Sequence, residues 1–243
     1  MQKIIFAALI CTVGICLATG PGRCVLAEEF TATWCSYCPK AAEALDKLAA
    51  EYEGRVIVIA FHSDRLNDPF GFPTGVARTE AYKVEGLPAV FIDGKGVDLG
   101  NGEEEDLTKF IRPPLEERLT GRPEMGMMLY YKKDGVHTFP INYGETDREV
   151  VVRVAVVTKK VAHGKKEYTN VARFLSEPVT TTIKPEKFTG QIGPVIPLEL
   201  TVEWLENESI IVAWAEDAKT GAILAAGYVP AKEDTETSPE EGG

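Results

Sequence analysis

The sequence is poor in the residues from which metal centres and nucleic-acid surfaces are built. It has only three histidines in 243 residues, at positions 62, 137 and 163, and their wide spacing gives no metal-ligand motif. It also lacks basic runs, and 37 acidic against 26 basic residues leave a formal net charge of −11. That balance argues against nucleic acid as a partner. With 44% apolar and 26% charged residues, the composition is that of an ordinary globular protein.

No apolar run reaches the roughly twenty residues that a bilayer-spanning helix needs. The longest run, residues 4–18, follows Lys3 and has the length of a secretory signal. Small residues at positions 18–20 predict cleavage there, so residues 1–21 are interpreted as a signal peptide. We therefore predict export to the periplasm or cell envelope, with secretion as a further possibility. The alternative is an uncleaved N-terminal anchor.

Cysteine is scarce as well, with five in the chain, and removal of residues 1–21 leaves Cys24, Cys35 and Cys38. Three cysteines do not make a disulfide-rich scaffold. Cys35 and Cys38 are separated by two residues, and without a second such pair or neighbouring histidines a zinc site lacks ligands. The spacing favours a redox-active dithiol. Cys24 is interpreted as an inert strand cysteine.

The hydrophobic pattern divides the chain into two halves. The first alternates strands and helices in the order β-α-β-α-β-(β)-α. The run at 55–61 (RVIVIAF) is β-branched with little alternation, which is typical of a strand covered on both faces. Strands are predicted over Val25–Thr31, 55–61 and 89–93, and helices over 36–53, 76–84 and 103–119.

The second half follows a cluster of proline and glycine at 112–123. Seven strands in little more than a hundred residues favour an antiparallel β-sandwich of immunoglobulin-like type over residues 123–231. Residues 232–243 contain no apolar residue and are predicted to be a disordered acidic tail. The seven strands are predicted over 127–133, 136–142, 149–158, 171–182, 198–205, 209–216 and 222–229.

The first half resembles thioredoxin-like proteins in three motifs. FTATWCSYCPK at 30–40 has Trp34 before the first cysteine, the dithiol, and a proline after the second. GLPAVFID at 86–93 is similar to the cis-proline loop of that superfamily, with the cis-proline at Pro88. Glu29, six residues before the first cysteine, stands where thioredoxins keep a buried acid. The resemblance implies an α/β thioredoxin-like domain over residues 22–122, followed by the β-sandwich.

Within that superfamily the chain is most similar to the outer membrane protein 28-related family. The similarity rests on EEFTATWCSYCP at 28–39, HSD at 62–64, DPF at 68–70 and the β-rich second half. It covers the chain after the predicted signal peptide. It implies an envelope location without defining a reaction.

The position of the dithiol implies a division of labour between its sulfurs. Cys35 lies at the start of the predicted helix 36–53, where unpaired N–H groups and the helix dipole favour a thiolate, so Cys35 is predicted to attack. Cys38 is predicted to resolve the mixed disulfide and to pair with Cys35 in the oxidised form. Glu29, if buried, has a raised pKa and takes the proton of Cys38. The alternative for Glu29 is a solvent-facing position beside Glu28.

Substrate contacts are predicted around the dithiol. The backbone of Leu87, before Pro88, is expected to meet an extended partner strand, and Trp34 and Tyr37 to supply an apolar rim. Packing is the alternative for Trp34. Phe70 and Phe72 are further rim candidates, for which anchoring of a loop or of the core is the favoured alternative. His62 and Asp64 are candidates for a polar pair, with loop capping as the favoured alternative.

The sequence thus predicts an exported thiol–disulfide oxidoreductase acting on protein thiols or disulfides. No bound cofactor is needed, because the dithiol carries the electrons. The alternative is a non-catalytic cell-envelope protein that uses the first domain as a scaffold and binds a partner through the β-sandwich.

Overall fold

The computed structural model describes residues 23–100, 105–132, 135–185 and 208–230. Within these ranges the chain forms three α-helices and eleven strands. No helix in them is long and apolar enough to cross a membrane. The predicted signal peptide, the predicted strand at 198–205 and the predicted acidic tail lie outside the described residues.

The first half contains four strands and the three helices, in the predicted order. The helix α1 (Cys38–Glu51) has a proline in its first turn, where the missing N–H costs no hydrogen bond, and Gly54 follows its end with a φ of 74°. The helix α3 (Thr108–Thr120) continues through Pro113 and Pro114, which belong to the proline and glycine cluster at 112–123, and it buries Ile111 and Leu115 completely. The elements are β1 Val25–Thr31, α1 Cys38–Glu51, β2 Val56–His62, α2 Pro73–Ala81, β3 Ala89–Ile92, β4 Lys95–Val97 and α3 Thr108–Thr120.

The second half is β-rich, as predicted. The prediction of a single strand over 171–182 is wrong, because two strands occupy that stretch and both pair with the strand β7 (Arg148–His163). The break between them contains Pro178, which has no N–H to donate to a ladder. The described strands are β5 Met125–Lys132, β6 Gly135–Asn142, β7 Arg148–His163, β8 Lys166–Leu175, β9 Val179–Ile183, β10 Ser209–Asp217 and β11 Ile223–Pro230.

One sheet runs through both halves. Its order is β11-β10-β7-β8-β2-β1-β3-β4, with β9 on β7, while β5 and β6 form a separate pair that packs against β10 and β11. The halves join where β8 pairs in parallel with β2, at Ala60 and Val171. The sheet that holds most of the C-terminal strands is therefore mixed, whereas the sequence predicted a purely antiparallel arrangement.

The strands β1 and β2 are buried on both faces, as the uniform apolar run at 55–61 predicted for β2. One face packs against α1 and α3. The other shares a core with side chains of the second half, among them the fully buried Trp214 on β10. Because of this shared core, β1, which leads to the dithiol, is held between elements of both halves.

A buried ion network crosses the same junction. Arg78 of α2 donates to both carboxylate oxygens of Glu28 on β1, at 2.8 and 3.1 Å, and its guanidinium lies 2.6 Å from Glu216 on β10. Tyr82 donates to Glu28, and the Trp214 indole donates to Glu216. Glu28 is completely buried, so losing Arg78 would leave a carboxylate unpaired between the halves.

Candidate active site

The two cysteines of the dithiol meet at the N-terminal end of α1. Cys35 and Cys38 form a disulfide with a Cα–Cα distance of 5.5 Å. The backbone N–H of Cys38 donates to the Sγ of Cys35 at 3.2 Å. In the reduced protein that donor and the helix dipole would stabilise a thiolate on Cys35. Cys35 is 8% exposed and Cys38 only 2%, so Cys35 is the more accessible sulfur.

Glu29 lies on β1, the strand that leads to the dithiol, and is buried. Its exposed fraction is 1%, so the solvent-facing alternative is wrong. Its Oε1 has no hydrogen-bond partner among the residues the structure describes. Burial raises the pKa of the Glu29 carboxyl to about 8, the negative charge of Asp46 adds to the rise, and a hydrogen bond with Thr31 opposes it. A carboxyl with this pKa can take up or release a proton near neutral pH, which the predicted acid–base role toward Cys38 requires.

Glu29 and both cysteines line one cleft of about 460 Å³. Its other walls come from α1, through Pro39, Ala42 and Asp46, and from β8 of the second half, through residues 166–169. A water-accessible space thus adjoins the buried carboxyl and the resolving cysteine. Sequence reasoning did not anticipate a wall from the second half.

A second cleft, also of about 460 Å³, reaches Cys35 but is built from different elements. Trp34 and Leu87 line it, together with the outer face of α2. The Leu87–Pro88 peptide bond is cis, as the resemblance implies. Trp34 is 44% exposed and Tyr37 49%. The structure thus places Trp34 and Leu87 in a cleft beside the more accessible sulfur, and leaves the Trp34 and Tyr37 rings about half exposed on either side of Cys35 in the sequence.

The loop after β2 does not contain the candidate polar pair of His62 and Asp64. His62 pairs with Asp68, at 3.2 Å between Nδ1 and Oδ1, whereas Asp64 is exposed. Asp68 also accepts the backbone N–H of Thr33 at 2.6 Å, which anchors the segment before Cys35. Burial lowers the pKa of His62, so its imidazole is neutral at pH 7.

The two phenylalanines of that loop pack inward. Phe70 is 8% exposed and lies edge-on against His62 and Tyr168. Phe72 packs against the core that the two halves share. Both are therefore anchors. Trp34 and Tyr37 are the remaining candidates for the predicted rim.

The sequence analysis identified neither Asp46, which lines the dithiol cleft, nor Asn170, which does not line it but donates a hydrogen bond to Asp46. Asp46 is half-buried on α1, lines the cleft and accepts a hydrogen bond from Asn170 on β8. The helical spacing of Cys38, Ala42 and Asp46, each four residues apart, could have shown that they share a face. Asn170 gives no local signal, since its contact with Asp46 spans 124 positions of sequence.

The chain is similar to thioredoxins in sequence. It is 33% identical over 102 residues to the "Probable Thioredoxin" of Archaeoglobus fulgidus, a stretch that is 42% of this chain and 97% of that protein. It is also 33% identical over 85 residues to a thioredoxin of Staphylococcus aureus, covering 34% of this chain and 75% of the relative. No protein-family model matches the chain.

The fold is similar to two solved structures over nine-tenths of this chain. A crystal structure of an Agrobacterium tumefaciens protein has a TM-score of 0.59 at 17% identity and covers 90% of this chain and 97% of its own. HBP35 of Porphyromonas gingivalis has a TM-score of 0.60 at 14% identity, with 91% and 81% covered. At such identities the likeness concerns the fold alone, and its extent includes the β-rich half.

Proposed function

The chain belongs to the thioredoxin-like superfamily, and on that premise we propose that it is a thiol–disulfide oxidoreductase acting on protein thiols or disulfides. The observation that carries the proposal is the position of the Cys35 sulfur. It accepts the N–H of Cys38 at the start of α1 and faces a cleft rimmed by Trp34 and Leu87. A thiolate at this point is both stabilised and accessible.

The exchange we propose has two steps. The Cys35 thiolate attacks a substrate disulfide, so that a bond between Cys35 and one substrate sulfur forms while the other leaves as a thiolate. Cys38 then attacks Cys35, the Cys35–Cys38 bond forms, and the second substrate thiolate leaves. The substrate gains two electrons and the dithiol loses two. The proton of Cys38 passes to the Glu29 carboxylate, and in the reverse direction protonated Glu29 returns it.

The cleft beside Cys35 suits an extended polypeptide. The exposed faces of Trp34 and Tyr37 offer apolar contact, and the backbone of Leu87 before the cis Pro88 offers hydrogen-bonding groups. We propose that these four residues hold the chain on either side of the substrate sulfur. A backbone-directed contact of this kind admits many sequences, as a general oxidoreductase requires.

Reduction of insulin by the purified protein with dithiothreitol tests this proposal. We expect insulin precipitation well above the rate with dithiothreitol alone. Cys24→Ser serves as the matched control, because Cys24 is buried outside the disulfide pair and the variant should keep the activity. A rate equal to dithiothreitol alone would contradict the proposal and favour the non-catalytic binding protein.

We further propose that the protein acts after export, in the periplasm or cell envelope, as a member of the outer membrane protein 28-related family. The apolar run at 4–18 and the motifs shared with that family support this. The C-terminal strands, as a sandwich-type module, would then hold an envelope partner. N-terminal sequencing of protein from the envelope fraction should find a first residue between 19 and 24, and material starting at Met1 would contradict cleavage.

A further inference from the structure

The cleft beside the resolving cysteine has a carboxylate wall that the second half holds in place. Asp46 of α1 lines this cleft together with Glu29 and Cys38. Its Oδ1 accepts a hydrogen bond from the Asn170 amide at 2.7 Å, and the Oδ1 of Asn170 accepts one from the Lys159 ammonium at 3.0 Å. Asn170, at the centre of this chain of contacts, is 5% exposed, and Asp46 and Lys159 are half-buried.

The contacts from Lys159 through Asn170 to Asp46 end in the cleft where Cys38 and Glu29 would exchange a proton. Lys159 and Asn170 belong to β7 and β8, whereas Asp46 belongs to α1. The C-terminal half thus fixes the orientation of a charged group that shares a cleft with Glu29, whose Oε1 has no hydrogen-bond partner in the described part of the chain. A carboxylate in that position disfavours the ionised form of a second carboxyl across the same cleft.

We propose that Asp46 is a positioning residue for the redox centre, held by Asn170 and Lys159, and that it raises the pH at which Glu29 exchanges a proton with Cys38. This inference rests on the proposed oxidoreductase function, but the pH at which Glu29 titrates can be measured whether or not the protein is active. It makes the C-terminal half a part of the redox centre.

Other charged groups face the same cleft. Those of Glu43, Lys166 and Glu167 are exposed, so solvent screens their effect on Glu29. His62 is buried and neutral at pH 7, because burial lowers its pKa. Asp46 is half-buried, and its field reaches Glu29 with less screening. The titratable groups lining the cleft are Glu29, Cys35, Cys38, Glu43, Asp46, His62, Lys166, Glu167 and Tyr168.

Two substitutions separate the charge of Asp46 from its position. Asp46→Asn removes the charge but keeps the Oδ1 that accepts from Asn170. Asn170→Ala keeps the charge but removes the hydrogen bond that holds it. Glu43→Gln is the matched control, since Glu43 is an acidic residue of the same helix and the same cleft with an exposed side chain.

The experiment is a carbon-13 NMR titration of the Glu29 carboxyl in the oxidised full chain, assigned with Glu29→Gln. Asp46→Asn should lower the midpoint by about half a pH unit or more. Asn170→Ala should lower it by a smaller amount, Asp46→Glu should restore most of it, and Glu43→Gln should leave it unchanged. A midpoint that Asp46→Asn does not move, or that Glu43→Gln moves equally, would overturn the inference.

The kinetic counterpart is the pH dependence of mixed-disulfide resolution. In Asp46→Asn the rise of the resolution rate should shift to lower pH by the same amount as the NMR midpoint. If the wild-type protein does not reduce insulin while the NMR midpoint shifts, the proposed function fails and this inference stands. If the wild-type protein reduces insulin but Asp46→Asn does not shift the NMR midpoint, the proposed function stands and this inference fails.

Discussion

Cys35→Ser should abolish thiol–disulfide exchange, and Cys38→Ser should leave a protein that accumulates its substrates as mixed disulfides. The reason is the asymmetry of the two sulfurs. Cys35 lines both clefts and receives an N–H from the start of α1, whereas Cys38 is almost completely buried. Without Cys35 there is no attacking sulfur, and without Cys38 the first covalent intermediate has no internal route to resolution.

The measurement combines insulin reduction with trapping. Reduced Cys38→Ser is incubated with an envelope extract, quenched with iodoacetamide and run on a non-reducing gel, with the bands identified by mass spectrometry. Cys24→Ser with both dithiol cysteines intact is the control and should not trap. In the reduced native protein, iodoacetamide should label Cys35 much faster than Cys38. Equal labelling of both sulfurs and no trapped partner would assign the dithiol a structural role.

Glu29 should make the folded protein less stable as the pH rises. Its pKa in the folded state is about 8 against an ordinary value of 4.5, so between these values the folded chain keeps a proton that the unfolded chain has released. The free energy of unfolding should therefore fall from about pH 4.5 to pH 8, by about 1.4 kcal/mol per pH unit and about 5 kcal/mol in all.

Urea unfolding of the oxidised protein between pH 5 and pH 8.5 measures this contribution. Glu29→Gln carries no charge at any pH, so it should match the wild type near pH 5 and exceed its stability by several kcal/mol at pH 8. The difference between the two curves isolates Glu29 from other titrating groups such as His62 and Asp93. Parallel curves would show that the carboxyl is solvated in the folded protein.

Glu28 provides the contrasting variant. It is as deeply buried as Glu29 but is matched by Arg78 and Tyr82. Glu28→Gln takes one carboxylate from the buried ion network and should lower the stability across the whole pH range. Two adjacent glutamates on one strand should therefore give opposite results at pH 8, because their partners differ.

Much of the site could be predicted from sequence patterns only a few residues long. The dithiol, the proline after it and the apolar spacing of 36–53 required a helix that starts at the cysteines, and the helix begins at Cys38. The motif around Pro88 predicted the cis bond. The uniform run at 55–61 predicted a strand covered on both sides. Each of these depends on local backbone preferences or on the burial of a continuous segment.

The ends of the strands and the partners of the buried acidic side chains were harder to predict. The pattern at 171–182 looked continuous because both parts alternate suitably, and the break at Pro178 emerges only from how β8 and β9 divide the length of β7. Glu28 and Glu29 are neighbours with the same side chain, and only the folded chain gives one an ion pair and leaves the other without a partner for its Oε1 among the described residues.

By itself the sequence determined the thioredoxin-like half, its dithiol, the residues around it and the β-rich character of the second half, since these depend on short motifs and on hydrophobic period. The tertiary structure alone decided that the two halves share a sheet through β2 and β8, that Arg78 joins Glu28 to Glu216, and that Asn170 holds Asp46 in the dithiol cleft. The physical reason is separation along the chain. These partners lie 50 or more positions apart, and their side chains meet only when burial of the apolar faces of both halves brings the strands together.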